Sequence, residues 1–316
     1  MKKVVVIGGG TGVFTVLSGL REYPYDLAAI VTMADDGGST GVLREEFGIL
    51  PPGDIRRALV ALSGSDNKMV SELFNYRFDE NSSLKGHSLG NLLLTALTKI
   101  TGSLPEALKE AVTILNVKGE VIPVTLEKTK LHAELENGQI IEGESNIDIP
   151  KHNPNLKIKS EFLKPAVTAN KDAIRAILES DFVIIGPGDL FTSLIPNLLT
   201  EGVVPTLKKT KAKIIYITNI MTKYGETNNF NASDFIKTIE QYLGKNVLDY
   251  VVMNVEQMEG RTLERYKKEN VDYVDYDSKN FDSRFKSVTG KFLRRGQFLR
   301  HDQGKLAKTL AKIIGK

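Results

Sequence analysis

The segment KKVVVIGGGTG, residues 2–12, constrains the fold more than any other. A short β-branched run that ends in glycines reads as a fully buried strand running into a tight turn. A helical pattern follows, with Phe14, Leu17 and Leu20 on one face, and then a second buried strand, DLAAIVTMA, over residues 26–34. Strand, glycine turn, helix and strand within so short a stretch form a βαβ unit, which demands parallel strands and a right-handed crossover.

The same rhythm continues. Helices are predicted over 54–62, 68–78 and 89–100. Ser103 with Glu106 three residues on marks a capping box for the next one. From 117 to 162 the period changes to two, and Asn137-Gly138 between alternating runs is a hairpin signal. This predicts a small antiparallel β insertion, expected to serve oligomerisation or partner contact rather than chemistry. After it come a helix over 171–178, a strand over 181–185 ending in Gly186-Pro187-Gly188, a helix over 190–199 and strands over 211–219 and 248–254 separated by a helix. A last short strand over 271–277 and a terminal amphipathic helix complete the pattern. The expected fold class is α/β: a doubly wound, mostly parallel, Rossmann-like sheet, one domain over 1–316 carrying the 117–162 insertion.

Open sheets of this kind bind ligands beyond the carboxyl ends of their strands. The candidate residues therefore lie in the loops there. Gly8, Gly9, Gly10, Thr11 and Gly12 follow the first strand. Glycines allow close approach of phosphate, and a helix N-terminus supplies free N–H donors. The spacing is neither G-x-G-x-x-G nor a Walker A loop, so the segment points to phosphate or nucleotide binding without fixing which. Asp35, Asp36, Gly37, Gly38 and Ser39 follow the second strand. Asp35 stands 25 residues after Gly10 (35 − 10), near the spacing at which an acid meets a ribose. Two carboxylates also suit Mg²⁺. Asp54, in PPGDIRR, reads as a helix N-cap or as a metal ligand or general base facing Asp35 or Asp36, so Asp36 and Asp54 are the candidate metal and catalytic pair. Arg56 and Arg57 sit in a first turn, where the dipole disfavours cations, a cost that an anion would offset. In Gly86-His87-Ser88-Leu89-Gly90-Asn91, Ser88 can cap, His87 can donate to phosphate, and the two glycines look like room for a ligand. Gly186 and Gly188 form a second candidate loop, in which Asp189 is expected to cap and Thr192 and Ser193 offer contacts.

Composition removes alternatives. There is no Cys, which excludes a disulfide scaffold, a thiolate zinc site and a cysteine nucleophile. Lys plus Arg is 42 and Asp plus Glu is 39, a net +3 too balanced for a nucleic-acid footprint. The apolar N-terminal run is broken by glycines, and no stretch reaches the ~18 residues of a membrane span. The expectation is a cytoplasmic protein with no membrane insertion.

Taken together and in order, GGGTG, ADDGGS, PPGD, GHSLGN, GPGDLFTS, NIMTKYGET and the late RHD resemble the bacterial gluconeogenesis factor (YvcK-like) family, within the superfamily of 2-phospho-L-lactate transferases (CofD-like). The resemblance spans roughly residues 3–310. It implies a CofD-like fold and a ligand of the UDP-sugar class, notably UDP-N-acetylglucosamine. It also implies a role in growth on gluconeogenic carbon sources and in cell shape and wall synthesis, and leaves room for a homo-oligomer and a protein partner in wall synthesis. On this reading the nucleotide contacts include Asn219, which opens NIMTKYGET, and Tyr266 and Arg300, matched to the family's uridine-ring positions. The transferase branch implies a divalent metal at the Asp35/Asp36 region and Asp54, hence the alternative of a Mg²⁺-dependent phospho- or nucleotidyl-group transferase. Asp189 departs from the family pattern, standing where Ser is expected.

Overall fold

The computed structural model describes every residue except 65–67, 80, 258–260, 282–283, 295, 297 and 316. β1 (Lys2–Gly8) leads through α1 (Gly10–Leu20) to β2 (Tyr25–Val31). Five helices follow: α2 (Gly38–Phe47), α3 (Gly53–Leu62), α4 (Lys68–Asn75), α5 (Leu89–Thr101) and α6 (Leu104–Leu115). The chain then returns to the sheet as β3 (Glu120–Pro123). β4 (Lys130–Leu135), β5 (Ile140–Glu142), α7 (Glu144–Asp148) and β6 (Ile158–Lys164) make the insertion. The second half runs through α8 (Lys171–Glu179), β7 (Phe182–Ile185), a π-wound turn over Leu190–Leu194 continuing into α9 (Ile195–Leu199), α10 (Val203–Lys209) and β8 (Lys213–Ile217). It ends with α11 (Ala232–Leu243), β9 (Tyr250–Asn254), α12 (Arg261–Lys268), β10 (Lys286–Gly290), the short pair β11 (Leu293–Arg294) and β12 (Arg300–His301), and α13 (Gln303–Ile314).

The main sheet has seven strands in the order β10-β9-β8-β7-β1-β2-β3, and every pairing in it is parallel. Val4, Val5, Val6 and Ile7 of the central strand are at most 2% exposed, as expected for a strand covered on both faces. The chain first builds outward through β2 and β3, then crosses back to the other side of β1 at β7. The switch point lies between β1 and β7, whose registers pair Ile7 with Ile185. Their two glycine loops therefore emerge side by side. α1 crosses α13 closely enough that a Cβ on Gly19 would lie 2.6 Å from the Gln303 carbonyl oxygen.

The structure departs from the sequence reading in four places. Glu120–Pro123 is not part of the insertion but pairs parallel with β2, so the antiparallel sheet, in the order β5-β4-β6, begins at Lys130 and ends at Lys164. Its apolar side (Leu131, Ala133, Leu135, Ile141), with Ile147 of α7, packs around Ala34 in the loop after β2. Residues 271–277 make only an isolated bridge at Tyr273, and the edge strand is Lys286–Gly290 instead. Helix α2 falls where the sequence shows only a glycine-rich turn. The helix expected over 68–78 stops at Asn75. Among the described residues no helix is long and apolar enough to cross a membrane.

Candidate functional site

The loops at the switch point enclose two adjoining chambers. The first, about 360 Å³, is lined by Gly9, Gly10, Thr11 and Gly12, by Pro187 and Gly188, and by Asn219, Lys223, Tyr266, Arg300 and His301, among others. The second, about 450 Å³, is lined by Asp35, Gly37, Gly38, Ser39, Asp54, Arg56, Arg57, Arg77, Asn91, Glu144, Asp148 and Thr192, among others. Gly10, Thr11, Asp189 and Ser193 form the boundary and line both.

The glycine loop owes most of its glycines to packing. A Cβ on Gly12 would fall 1.8 Å from the Pro187 carbonyl oxygen and 2.4 Å from its carbon, because the β1 and β7 loops touch backbone to backbone there. A Cβ on Gly9 would lie 2.5 Å from Asp54 Oδ2. A Cβ on Gly10, at φ +62°, would make only ordinary contacts, with Ser193 Oγ at 3.6 Å and Arg57 Nη1 at 3.9 Å. The first turn of a helix leaves N–H groups without intrahelical carbonyls. The Gly10 N–H donates to Asp54 Oδ1 at 2.9 Å.

That bond sets aside one of the two roles read for Asp54. It is not the N-cap of α3, a position held by Pro52, but sits in the first turn, 6% exposed. Arg57 Nη1 donates to the same oxygen at 3.2 Å. Asp54 therefore fastens the start of α1 to the start of α3. Its acidic neighbour is Asp35, not Asp36. The Asp35 carboxylate accepts from the Gly37 N–H at 3.0 Å and lies where a Cβ on Gly53 would be 2.7 Å away. Burial, and after it the Asp54 charge, raise the Asp35 pKa to about 6. Asp36 turns to the insertion instead and accepts from the Ser145 N–H (2.9 Å) and hydroxyl (2.8 Å), so the Asp36–Asp54 pair expected from sequence is not formed. Arg44 of α2 donates to the Asp35 carbonyl (2.8 Å) and the Thr129 carbonyl (2.8 Å), pinning the acidic loop to the insertion.

The GHSLGN segment acts from behind. Ser88 is fully buried and caps α5 through the Asn91 N–H, as its position predicts. His87 Nδ1 lies 2.9 Å from Ser39 Oγ, and Asn91 Nδ2 donates to the same hydroxyl at 3.3 Å. Gly90 makes room for protein, not ligand: a Cβ there would meet the Phe74 carbonyl oxygen at 2.5 Å and Arg56 Cδ at 2.7 Å. In the second loop, Gly186 takes φ +80° beneath the cavity while Gly188 lines it. Asp189 makes no capping hydrogen bond and pairs with Lys223 Nζ at 3.1 Å.

Sequence reasoning missed Lys223, Glu144 and Asp148. Lys223 Nζ also meets Asp148, and lies 2.9 Å from Glu226 Oε1, though outside hydrogen-bonding angles. Burial opposes its charge, but Glu226, Asp189 and Asp148 outweigh that and hold the ammonium above its ordinary range. Burial raises the Glu226 pKa to about 8 against the pull of Lys223. Glu144 is pushed to about 9, by burial first and then by Asp35, Asp148 and Asp36. Through α7 the insertion thus contributes to the lining of the second chamber, a placement that its alternating pattern does not signal. The motif NIMTKYGET carried a signal for Lys223. Glu144 and Asp148 sit in a stretch that reads as hairpin, and only tertiary packing brings them in.

At the far end of the first chamber Tyr266 is half-buried. Its hydroxyl accepts from the Leu299 N–H at 3.1 Å, which fixes the ring. The Arg300 guanidinium lies 5.4 Å from the Phe298 ring centroid. Asn219 Oδ1 and His301 Nε2 are buried in the same chamber without a hydrogen-bond partner among the described residues. Burial holds His301 near pKa 4, so its ring is neutral. A cavity lined by a glycine loop and by residues that carry unsatisfied polar atoms suits a polar ligand.

Comparison with known proteins agrees with this geometry. The family described as 2-phospho-L-lactate transferase CofD matches residues 4–293. The chain is 40% identical to the gluconeogenesis factor of Bacillus subtilis over 99% of its own length and 98% of the relative's. It is also 40% identical to that of Halalkalibacterium halodurans over 98% and 95%. A crystal structure of a UPF0052 family member from Bacillus halodurans superposes with a TM-score of 0.92 at 39% identity, covering 98% of this chain and 99% of that one. The two glycine loops of the switch point, the acids behind them and the Tyr266–Arg300 mouth are thus set in a chain that belongs to the CofD family, among its gluconeogenesis factors.

Proposed function

We propose that the protein is a cytoplasmic nucleotide-sugar-binding regulator whose ligand is UDP-N-acetylglucosamine, acting in growth on gluconeogenic carbon sources and in cell shape and wall synthesis through a protein partner. One observation carries the reading. A single cavity runs from the glycine loop to Tyr266 and Arg300, and it buries two unpartnered polar atoms, Asn219 Oδ1 and His301 Nε2. The diphosphate lies at the start of α1, and the uracil lies against the phenol ring and the guanidinium, both of which stack on a base. Binding without turnover is favoured by Asp54, whose carboxylate is engaged in holding Gly10 and Arg57.

Calorimetric titration tests this, with UDP-N-acetylglucosamine against GDP and NAD, each with and without Mg²⁺. The uridine ligand is expected to bind most tightly. Tyr266→Ala should weaken it by roughly 1–3 kcal/mol, the range for loss of a stacked base, with the fold intact. Unchanged affinity in both Tyr266→Ala and Arg300→Ala would contradict the assignment.

A second reading, a Mg²⁺-dependent transferase of phosphorus-containing groups, rests on the Asp35–Asp54 juxtaposition. Two carboxylates side by side, one with a raised pKa, suit a hard cation that binds through one or two carboxylates and water. Asp35 and Asp54 would hold it. The ion, when bound, would draw charge from a phosphoryl oxygen. Arg57 would then be released from Asp54 to meet the remaining phosphate oxygens. A product assay on the titrated ligand separates the two readings.

A further inference from the structure

The second chamber holds a charge that the nucleotide reading leaves without a role. Arg56 is 6% exposed, and its guanidinium meets only neutral partners: Asn91 Oδ1 at 3.1 Å, Asn75 Oδ1 at 2.6 Å and the Phe74 carbonyl at 3.5 Å. Among the described residues no carboxylate lies within ion-pair distance of it. Asp54 is engaged by Gly10 and Arg57. Two neighbouring charges, Arg57 and Arg77, are of its own sign, and Asp54 acts on it only at a distance, without an ion pair. Burial, then Arg57 and Arg77, pull its pKa down to about 10. A buried guanidinium without a counter-charge is destabilising unless something brings one.

The lining supplies what an anion needs. Arg77 and Arg57 border the chamber with Arg56, and so does the Ser39 hydroxyl. Thr192, 2% exposed, also borders it, and its Oγ1 has no hydrogen-bond partner among the described residues. The acids in the same chamber do not cancel this. Asp148 and Asp189 are paired with Lys223, and Asp54 with Arg57. The Asp35 carboxylate is engaged by the Gly37 N–H at 3.0 Å, and Glu144 is held protonated up to about pH 9.

We propose that the second chamber is a separate site for a small phosphate-bearing anion, clamped by Arg56 and Arg77 and hydrogen-bonded by Ser39 and Thr192. The fork of a guanidinium matches two phosphate oxygens at once, and the bound charge is the one that Arg56 lacks. The phosphate could come from two sources: a free phosphate ester, or the ligand diphosphate reaching across the boundary at Gly10, Thr11, Asp189 and Ser193. The proposal commits to the first, and it does not depend on the identity of the nucleotide.

The test is calorimetric titration of the full chain with inorganic phosphate, then glycerol 3-phosphate, in low-salt chloride buffer. Wild type is expected to bind both. Arg77→Gln should weaken them about tenfold, the loss expected for one charge-assisted contact, and the nearly isosteric Thr192→Val should weaken them several-fold. Arg56→Lys, which keeps the charge but loses the fork, should also weaken them in a chain shown to be folded by circular dichroism. Tyr266→Ala should leave phosphate binding unchanged, as should saturation with UDP-N-acetylglucosamine. The proposal is overturned if wild type binds neither anion, if Arg77→Gln and Thr192→Val both bind like wild type, or if the nucleotide sugar displaces phosphate. The last result would assign the anion position to the nucleotide's own diphosphate. If the nucleotide sugar itself does not bind, the regulator reading falls, and the phosphate titrations of the variants still decide this one.

Discussion

Gly12→Ala is expected to destabilise the protein by at least about 3 kcal/mol, at the upper end of overpacking costs, and to abolish nucleotide-sugar binding in whatever fraction stays folded. The added methyl would be placed 1.8 Å from the Pro187 carbonyl oxygen and 3.0 Å from the Gly188 nitrogen. Both are backbone atoms, so no rotamer change relieves the clash. The β1 and β7 loops must separate, and that seam is the floor of the first chamber. Urea denaturation followed by circular dichroism reads the stability change. Gly38→Ala is the control, because a Cβ there meets nothing within 4 Å, and only the local strain of φ +44° should be felt.

The second large effect is pH-dependent. The folded protein binds the Asp35 proton more tightly than the unfolded chain does, since its pKa rises from 3.8 to about 6. The unfolded chain therefore releases that proton first, and Asp35 lowers stability as pH climbs through the window from 3.8 to about 6. Above it the penalty is fully present. Asp35→Asn removes it, so at pH 8 the variant should be more stable than wild type by on the order of 2 kcal/mol, with the difference vanishing toward pH 3.5. Glu144 and Glu226 titrate in the same direction, with pKa values raised to about 9 and about 8. Glu226 is common to both chains and cancels in the difference, whereas Glu144, whose pKa the Asp35 charge helps to raise, adds to it in the same direction. If a cation sits between Asp35 and Asp54, Mg²⁺ should stabilise wild type at pH 8 and leave Asp35→Asn unchanged.

The sheet and its switch point were legible because buried parallel strands write themselves as β-branched runs: VVVI, DFVII and KIIYI need no partner to be recognised. The glycines after β1 were legible as a loop but not in their purpose. Gly9 and Gly12 yield space to Asp54 and Pro187, atoms brought in from distant parts of the chain. Which of two adjacent aspartates faces the chamber was not legible either. Asp35 and Asp36 differ only in that Gly37 and the α3 start hold one while Ser145 holds the other. Helix α2 was missed because GGSTG reads as a turn and only Thr40 and Leu43 are buried along its length. The insertion was visible as a change of period, yet period says nothing of where its short helix lands. Tyr266 and Arg300 came from resemblance alone, and the fold brings both to the mouth of the chamber floored by the glycine loop.

The most direct test of the central claim is a crystal structure of the protein with UDP-N-acetylglucosamine. The expected density places the diphosphate over the first turn of α1 at Gly10–Gly12 and the uracil against Tyr266 and Arg300, with Asn219 Oδ1 and His301 Nε2 acquiring ligand partners. A ligand bound away from the β1–β7 switch point, or a soaked crystal with no ligand in the first chamber at saturating concentration, would contradict it.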